Sequence, residues 1–321
     1  MGRRHQSPRR AGGRPDDRRQ SRAPALAALS HPARSVDLPG ALLALLVSVF
    51  WGANPVAIKI GLADVPPLRL AWMRFLVGGL VILVWAWGTG RLRGFWIAPH
   101  EWRPLLVLGL LFAAQIASMN IGTGLTSAAH AAIILNMYAV HTVVLAHFMI
   151  PGDRLTPRRL AGVCVSYGGI VMLFGGEIAG GSASLLGDAI MFVSAFLLAE
   201  RTVYLSRAVQ SLDPVKLLLS QAAVGGAIFL LGGALFEPEP TRWTWRLAAV
   251  IAYQGVLIAG FNFVVNLWLL KRYRPSALAV FFLTQPIFGV IAAALLTGDR
   301  LTPDLLLASL AVAAGIGLAA R

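Results

Sequence analysis

Nine polar or ionisable residues interrupt stretches otherwise built from leucine, valine, alanine and glycine: Asn54, Arg74, Gln115, Asn136, Tyr138, His141, Gln254, Asn262 and Gln285. None belongs to a motif for covalent chemistry. There is no GxxxxGK[ST] phosphate loop, no HExxH, no GxSxG and no paired acidic motif, and Gly122-Thr123-Gly124 is too short a glycine signature for a nucleotide. In an apolar setting such residues bind. Amides offer donors and acceptors to a polar or zwitterionic solute, so the nine are read as candidates for lining a substrate cavity, with no cofactor and no metal.

Each candidate also has a purely structural use. An unpaired Arg74 within a span costs about 2.5–3.5 kcal/mol on insertion scales, so it faces either a wet cavity and an anionic group or backbone carbonyls. Asn54 precedes Pro55, which removes a backbone bond and frees a carbonyl for a solute or a neighbouring helix. Tyr138 and His141, three apart, share a helix face, and His141 is the candidate for carrying a coupling proton. Gln115, Asn136, Gln254, Asn262 and Gln285 serve a solute or interhelical hydrogen bonds equally well. Lys59 has a stem long enough to snorkel to headgroups, and Arg201 is read the same way. Glu200 beside it is either a proton-linked carboxylate or the partner of a basic loop residue.

The elements that must position these residues follow from hydropathy. The chain is 57% hydrophobic and 13% charged, with a mean hydropathy of +0.71 over 321 residues, more apolar than any water-soluble fold requires. A spanning helix needs about 20 apolar residues. Spans are expected near 40–62, 68–89, 104–123, 128–150 and 160–176, then 187–206, 215–235, 247–270, 276–297 and 304–320. Strand-like alternation is absent, which argues against a transmembrane barrel. The single cysteine, Cys164, excludes a disulfide framework.

The string Gly-Asp-Arg-Leu-Thr-Pro occurs at 152–157 and again at 298–303, a spacing of 146 that also relates Asn120 to Asn266 and Gly109 to Gly255. Val-Gly-Gly at 77–79 recurs at 224–226, one residue out of step. The period is half a molecule. With five spans per half, the second copy enters the bilayer from the opposite side, and the charges agree. Arg242, Arg246 and Arg300 alone fall in outer loops, while Lys59, Arg69 and Arg74 lie in or beside the first two spans. The rest of the 28 basic residues lie on the inner side, which sets both termini in the cytoplasm. The expected fold is an all-α integral membrane protein of ten transmembrane helices, two inverted five-helix repeats at residues 37–176 and 177–321.

Residues 1–36 read as a disordered Arg-rich cytoplasmic tail. The net charge of +14 therefore calls for no nucleic-acid partner. The expected partners are a small-molecule substrate and the lipid bilayer, with a homodimer left open. Trp85, Trp87, Trp96, Trp102, Trp243 and Trp245 fall near span ends, as an aromatic belt requires. Inverted repeats are a common construction of secondary transporters.

Trp51-Gly52, Asn54, Lys59, Pro66-Pro67 and Arg74, with the endings Gly152-Asp153-Arg154-Leu155-Thr156 and Gly298-Asp299-Arg300-Leu301-Thr302, resemble the paired EamA repeats of the drug/metabolite transporter superfamily. The resemblance covers residues 37–321. It implies a ten-helix carrier of the inner membrane, often an exporter of amino acids or other metabolites, with no enzymatic activity. A nucleotide-sugar or organophosphate exchanger is the nearest alternative, followed by an intramembrane enzyme built on Tyr138, His141 and Glu200. Two features depart from the pattern. The proline before the fourth-helix ending is Pro286 in the second half but Val140 in the first, so the first half is expected to lack the kink, and both endings carry Asp where Glu is common.

Overall fold

The computed structural model describes Gly2 and residues 36–93, 95–149, 154–180, 184–209, 211–273 and 281–319. The arginine-rich tail, Gly152 and Asp153, and the stretch 274–280 lie outside the described residues. Every regular element among those described is helical. Asp37 starts α1 (Leu38–Gly61) by accepting from the Gly40 amide at 2.9 Å. Pro67 opens α2 (Pro67–Gly88), and a short turn at Pro99–Glu101 leads into α3 (Trp102–Leu125). Then come α4 (Ala128–Asn136), α5 (Tyr138–Met149) and α6 (Pro157–Gly180). The second half holds α7 (Leu185–Ala208) and α8 (Pro214–Phe236). A long stretch follows, made of α9 (Trp245–Ala252), a π-helical segment (Tyr253–Asn262) and α10 (Phe263–Arg272). It is succeeded by α11 (Gln285–Leu296) and α12 (Pro303–Ala319).

Six helical stretches among the described residues are long and apolar enough to cross a membrane: Leu38–Gly61, Pro67–Gly88, Pro99–Leu125, Ala128–Met149, Pro214–Phe236 and Trp245–Asn266. Their outward faces carry large exposed apolar side chains such as Leu80, Val84 and Leu235, the surface a lipid solvent demands. Hydrophobicity does not drive helix association in lipid, so close packing must.

Small residues supply that packing. On α6 and α12, Ser166 Oγ donates to Val312 O at 3.4 Å, Gly162 lies against Gly315, and Gly169 lies against Ala308 and Ala311. As residue numbers rise on α6 they fall on α12, so the two helices run antiparallel. The same holds for α2 and α8, where Gly79 faces Ala222, and Leu68 and Arg69 face Gly232 and Gly233. A third pairing is reciprocal. Gly109 on α3 takes Val224 of α8, and Gly255, its counterpart at the 146-residue spacing, takes Val77 of α2.

Polar bonds gather at the two ends of the bundle. At one end Asp64 accepts from Arg246 (Nε 2.9 Å, Nη2 2.7 Å) and from Thr244 (2.7 Å). The Arg246 guanidinium, with the Thr244 hydroxyl, holds the Asp64 carboxyl below the usual carboxylate range. Nearby, Glu237 receives the Leu68 and Arg69 amides that begin α2, at 2.6 and 2.9 Å, and Asp299 receives the Ala129 amide that begins α4, at 2.8 Å. Asp188 accepts from Thr126 and pairs with His130 at 2.8 Å. At the other end Lys216 pairs with Glu101 at 2.7 Å and Tyr273 bonds Asp37.

Two expectations are corrected. Lys59 does not snorkel to headgroups: its ammonium donates to the carbonyls of Thr123, Gly124 and Thr126 at 3.1, 3.0 and 2.6 Å, capping the end of α3. The fourth stretch breaks even without a proline at Val140. It divides at Met137, where the Asn136 side-chain amide donates to Ala132 O at 2.7 Å and competes with the backbone ladder.

Candidate functional site

Two arginine side chains, Arg74 and Arg201, stand where α2, α3, α7 and the π segment meet. Arg74 on α2 is 3% exposed. Its Nη1 donates to Gln254 Oε1 at 3.3 Å, its Nε has no partner, and its guanidinium lies 4.5 Å from the Phe75 ring centroid. Gln254 sits in the first turn of the π segment, whose Gly255 and Gly260 admit Val77 and Val81 of α2. That close approach brings the amide to the arginine. Wide π turns inside α-helices often coincide with functional positions.

Arg201 on α7 completes the cluster. Its Nη1 donates to Gln115 Oε1 at 3.1 Å, and its guanidinium stands 5.1 Å from the Phe112 ring. Gln115 is fixed in turn by Ser194, which receives from its Nε2 at 3.3 Å and donates to its backbone carbonyl at 3.0 Å. Phe75 and Phe112 meet edge to face with centroids 4.6 Å apart, so the two guanidiniums flank one aromatic step. Arg201 acts on Arg74 as a like charge. No carboxylate among the described residues lies within ion-pairing distance of either arginine.

Arg201 is the residue that sequence reasoning missed, having been expected to reach toward the inner surface. Its own helix carried the signal. Leu197, Leu198, Tyr204 and Leu205, the positions a turn away, hold no acid, so its partner had to come from another helix. Glu200, expected to be proton-linked or to pair with a loop cation, makes no ion pair among the described residues.

The other candidates lie in separate groups. Asn54 and Gln285 are buried, each with one side-chain atom lacking a partner, close to where α1 and α11 cross through Gly52 and Gly289. Asn136 bonds within its own helix, and Asn262 donates to Val47 O at 3.3 Å. His141 stands among Tyr167, Phe192 and Phe196, centroids 4.9–5.8 Å away, and neither ring nitrogen has a hydrogen-bond partner. Tyr138, His141 and Glu200 share no hydrogen bond. A cavity of about 770 Å³ opens between α1, α9 and α11, with walls such as Phe50, Ala57, Trp245, Tyr253 and Leu295. None of the nine expected residues lines it.

These features define a class: a helical membrane protein whose charged centre is drawn from both halves of the chain. Comparison with known proteins gives the family. The EamA-like transporter family matches the chain twice, over residues 38–175 and 185–321, and the protein belongs to it. It is 30% identical to an uncharacterized transporter of Archaeoglobus fulgidus over 78% of this chain and 87% of that one. It is 27% identical to a probable amino-acid metabolite efflux pump of Escherichia coli K12, over 81% and 88%. A solved crystal structure matches with a TM-score of 0.66 at 20% identity, covering 88% of this chain and 95% of its own, a likeness of fold alone.

Proposed function

We propose that this protein is a secondary transporter of the inner membrane that exports small metabolites, amino acids or related compounds, by alternating access between two inverted five-helix repeats. The observation that carries this reading is the pair of bonds Arg74 to Gln254 and Arg201 to Gln115, which joins the halves at a buried polar centre. A site held equally by both halves can be exposed to either side as one rocks against the other. The antiparallel packing of α6 on α12, equivalent segments at the 146-residue spacing, supports the inversion. Efflux by a relative named for it supports the direction. Both termini are placed in the cytoplasm with residues 1–36 as a tail, a gradient supplies the energy, and a homodimer is the assembly proposed.

The test is flux in reconstituted vesicles, using labelled amino acids and related metabolites with and without an imposed pH gradient. Saturable flux that falls in Arg74→Ala or Asn54→Ala at equal membrane insertion is the expected result. Flux kinetics unchanged in both variants would overturn the site. Topology is tested separately. Because Cys164 is exposed, single cysteines at 158 and 304 are placed in a Cys164→Ala background; labelling of both from the same side removes the inversion. Exchange of nucleotide sugars or organophosphates is the second reading, favoured by Arg201 standing beside Arg74.

A further inference from the structure

Two guanidiniums flank the Phe75–Phe112 pair, and no carboxylate among the described residues lies within ion-pairing distance of either. Removing a charge from water is costly even in a protein interior, and aromatic faces return only part of that cost. The usual remedy is a buried carboxylate, and the four buried acids among the described residues are engaged elsewhere. Asp188 serves Thr126 and His130, Asp64 serves Arg246, Glu237 caps α2 and Glu101 holds Lys216. Glu200, next to Arg201 in sequence, pairs with neither arginine.

The hydrogen-bonding sense of the cluster is equally one-sided. An arginine only donates, so the glutamines must turn their carbonyl oxygens toward Arg74 and Arg201. This leaves Gln254 Nε2 buried with no acceptor, beside an equally unpartnered Arg74 Nε. The groups still free are donors, and two of the side chains are cations. Each glutamine oxygen keeps one lone pair, but it lies beside a guanidinium whose charge disfavours an ammonium there.

We infer that the solute bound here is a small organic dianion, a dicarboxylate or a phosphate monoester seated between Arg74 and Arg201, in preference to a zwitterionic amino acid. Guanidinium forks match the planar oxygens of carboxylate and phosphate alike. The inference rests on the transporter reading and, within its small metabolites, favours dianions over the amino acids named there. It also gives the neutral amides a role, since Gln254 and Gln115 hold the arginines by their oxygens without cancelling their charge.

Binding to the purified full-length protein tests it, with labelled succinate and glycerol phosphate as the two dianions and leucine as the zwitterion. Saturable binding of at least one dianion is expected, with leucine at least tenfold weaker, and whichever dianion binds distinguishes carboxylate from phosphate. Arg74→Gln and Arg201→Gln should each weaken that binding about tenfold to a hundredfold, as loss of a charged hydrogen bond does, while Lys59→Gln leaves it unchanged. Without ligand, Arg201→Met should keep or raise the unfolding midpoint, because it removes an uncompensated charge. A lowered midpoint would make the arginine a fold element and overturn the proposal. So would leucine binding as tight as the dianion, no binding of either dianion, or wild-type affinity in Arg201→Gln. Leucine flux without dianion binding sinks this inference alone. Dianion binding without dianion flux keeps the anion site and sinks the transporter reading.

Discussion

Replacing Gly315 by alanine should separate α6 from α12, and the size of the effect follows from distances. A Cβ at Gly315 would stand 2.1 Å from Ser166 Oγ, 2.5 Å from Gly162 O and 2.7 Å from Ser166 N. The serine hydroxyl can rotate away; the backbone atoms cannot. Restoring ordinary contact requires the helices to part by about 0.5–1 Å, which forfeits a quarter to a half of each dispersion contact along the seam. Overpacking of this kind costs about 1–3 kcal/mol, against roughly 1 kcal/mol returned by the better helix propensity of alanine. Gly168, on the partner helix α6, is the control: nothing lies within 4 Å of a Cβ there, so Gly168→Ala should stabilise by about 0.5–1 kcal/mol. The two variants therefore differ in sign. Unfolding in mixed detergent micelles, followed by circular dichroism, measures both. Gly162→Ala should resemble Gly315→Ala, since its Cβ would lie 2.5 Å from Gly315 O and 2.6 Å from Ala319 N. The double variant should cost less than the sum, because the helices part only once. Equal effects at Gly315 and Gly168, or strict additivity of Gly162 and Gly315, would refute the packing argument.

Asp64→Asn should lower the unfolding midpoint by the same amount at pH 8, 6 and 5, the gap closing only below pH 4. The reason is the sign: the folded carboxyl titrates below its ordinary value of 3.8, so its contribution is complete above that value and fades as pH falls through the lowered one. A gap that closes between pH 7 and 5 would refute the assignment. Lys59→Met should cost about 1.5–3 kcal/mol by leaving the last carbonyls of α3 without their cation, read as a lower midpoint in the same micelle assay. Asp299→Ala should cost about 0.5–2 kcal/mol by leaving the Ala129 amide at the start of α4 without its acceptor, and hydrogen exchange at Ala129 should quicken ahead of His130, whose amide Ser127 Oγ still holds.

The positions of the apolar stretches were legible because a span of about 20 residues is set by bilayer thickness and tolerates local error. Helix rotation was not, because a lipid-facing surface is as apolar as a packed one and leaves little periodicity to read. Hence Arg201 could be placed on its helix but not aimed at Gln115, and Lys59 was sent to the headgroups when the end of α3 was nearer. The break at Met137 escaped for a related reason: it arises from a side chain of Asn136 turned onto its own backbone, where a proline was the signal sought.

The repeat also misleads in an instructive way. At a spacing of 146 residues Gly109 answers Gly255, and Val77 answers Val224 one residue further, so the packing contacts are shared by both halves. The charged cluster is not. At the same offsets Arg74 answers Gln221, which bonds its own helix at Leu217 O, 2.9 Å away. Gln254 answers Leu108, Gln115 answers Phe261 and Arg201 answers Pro55. Symmetry thus governs how the helices seat against each other, while the donors and charges occupy one asymmetric position. Among the described residues the shared packing pattern is therefore not matched by a second arginine cluster in the other half of the repeat.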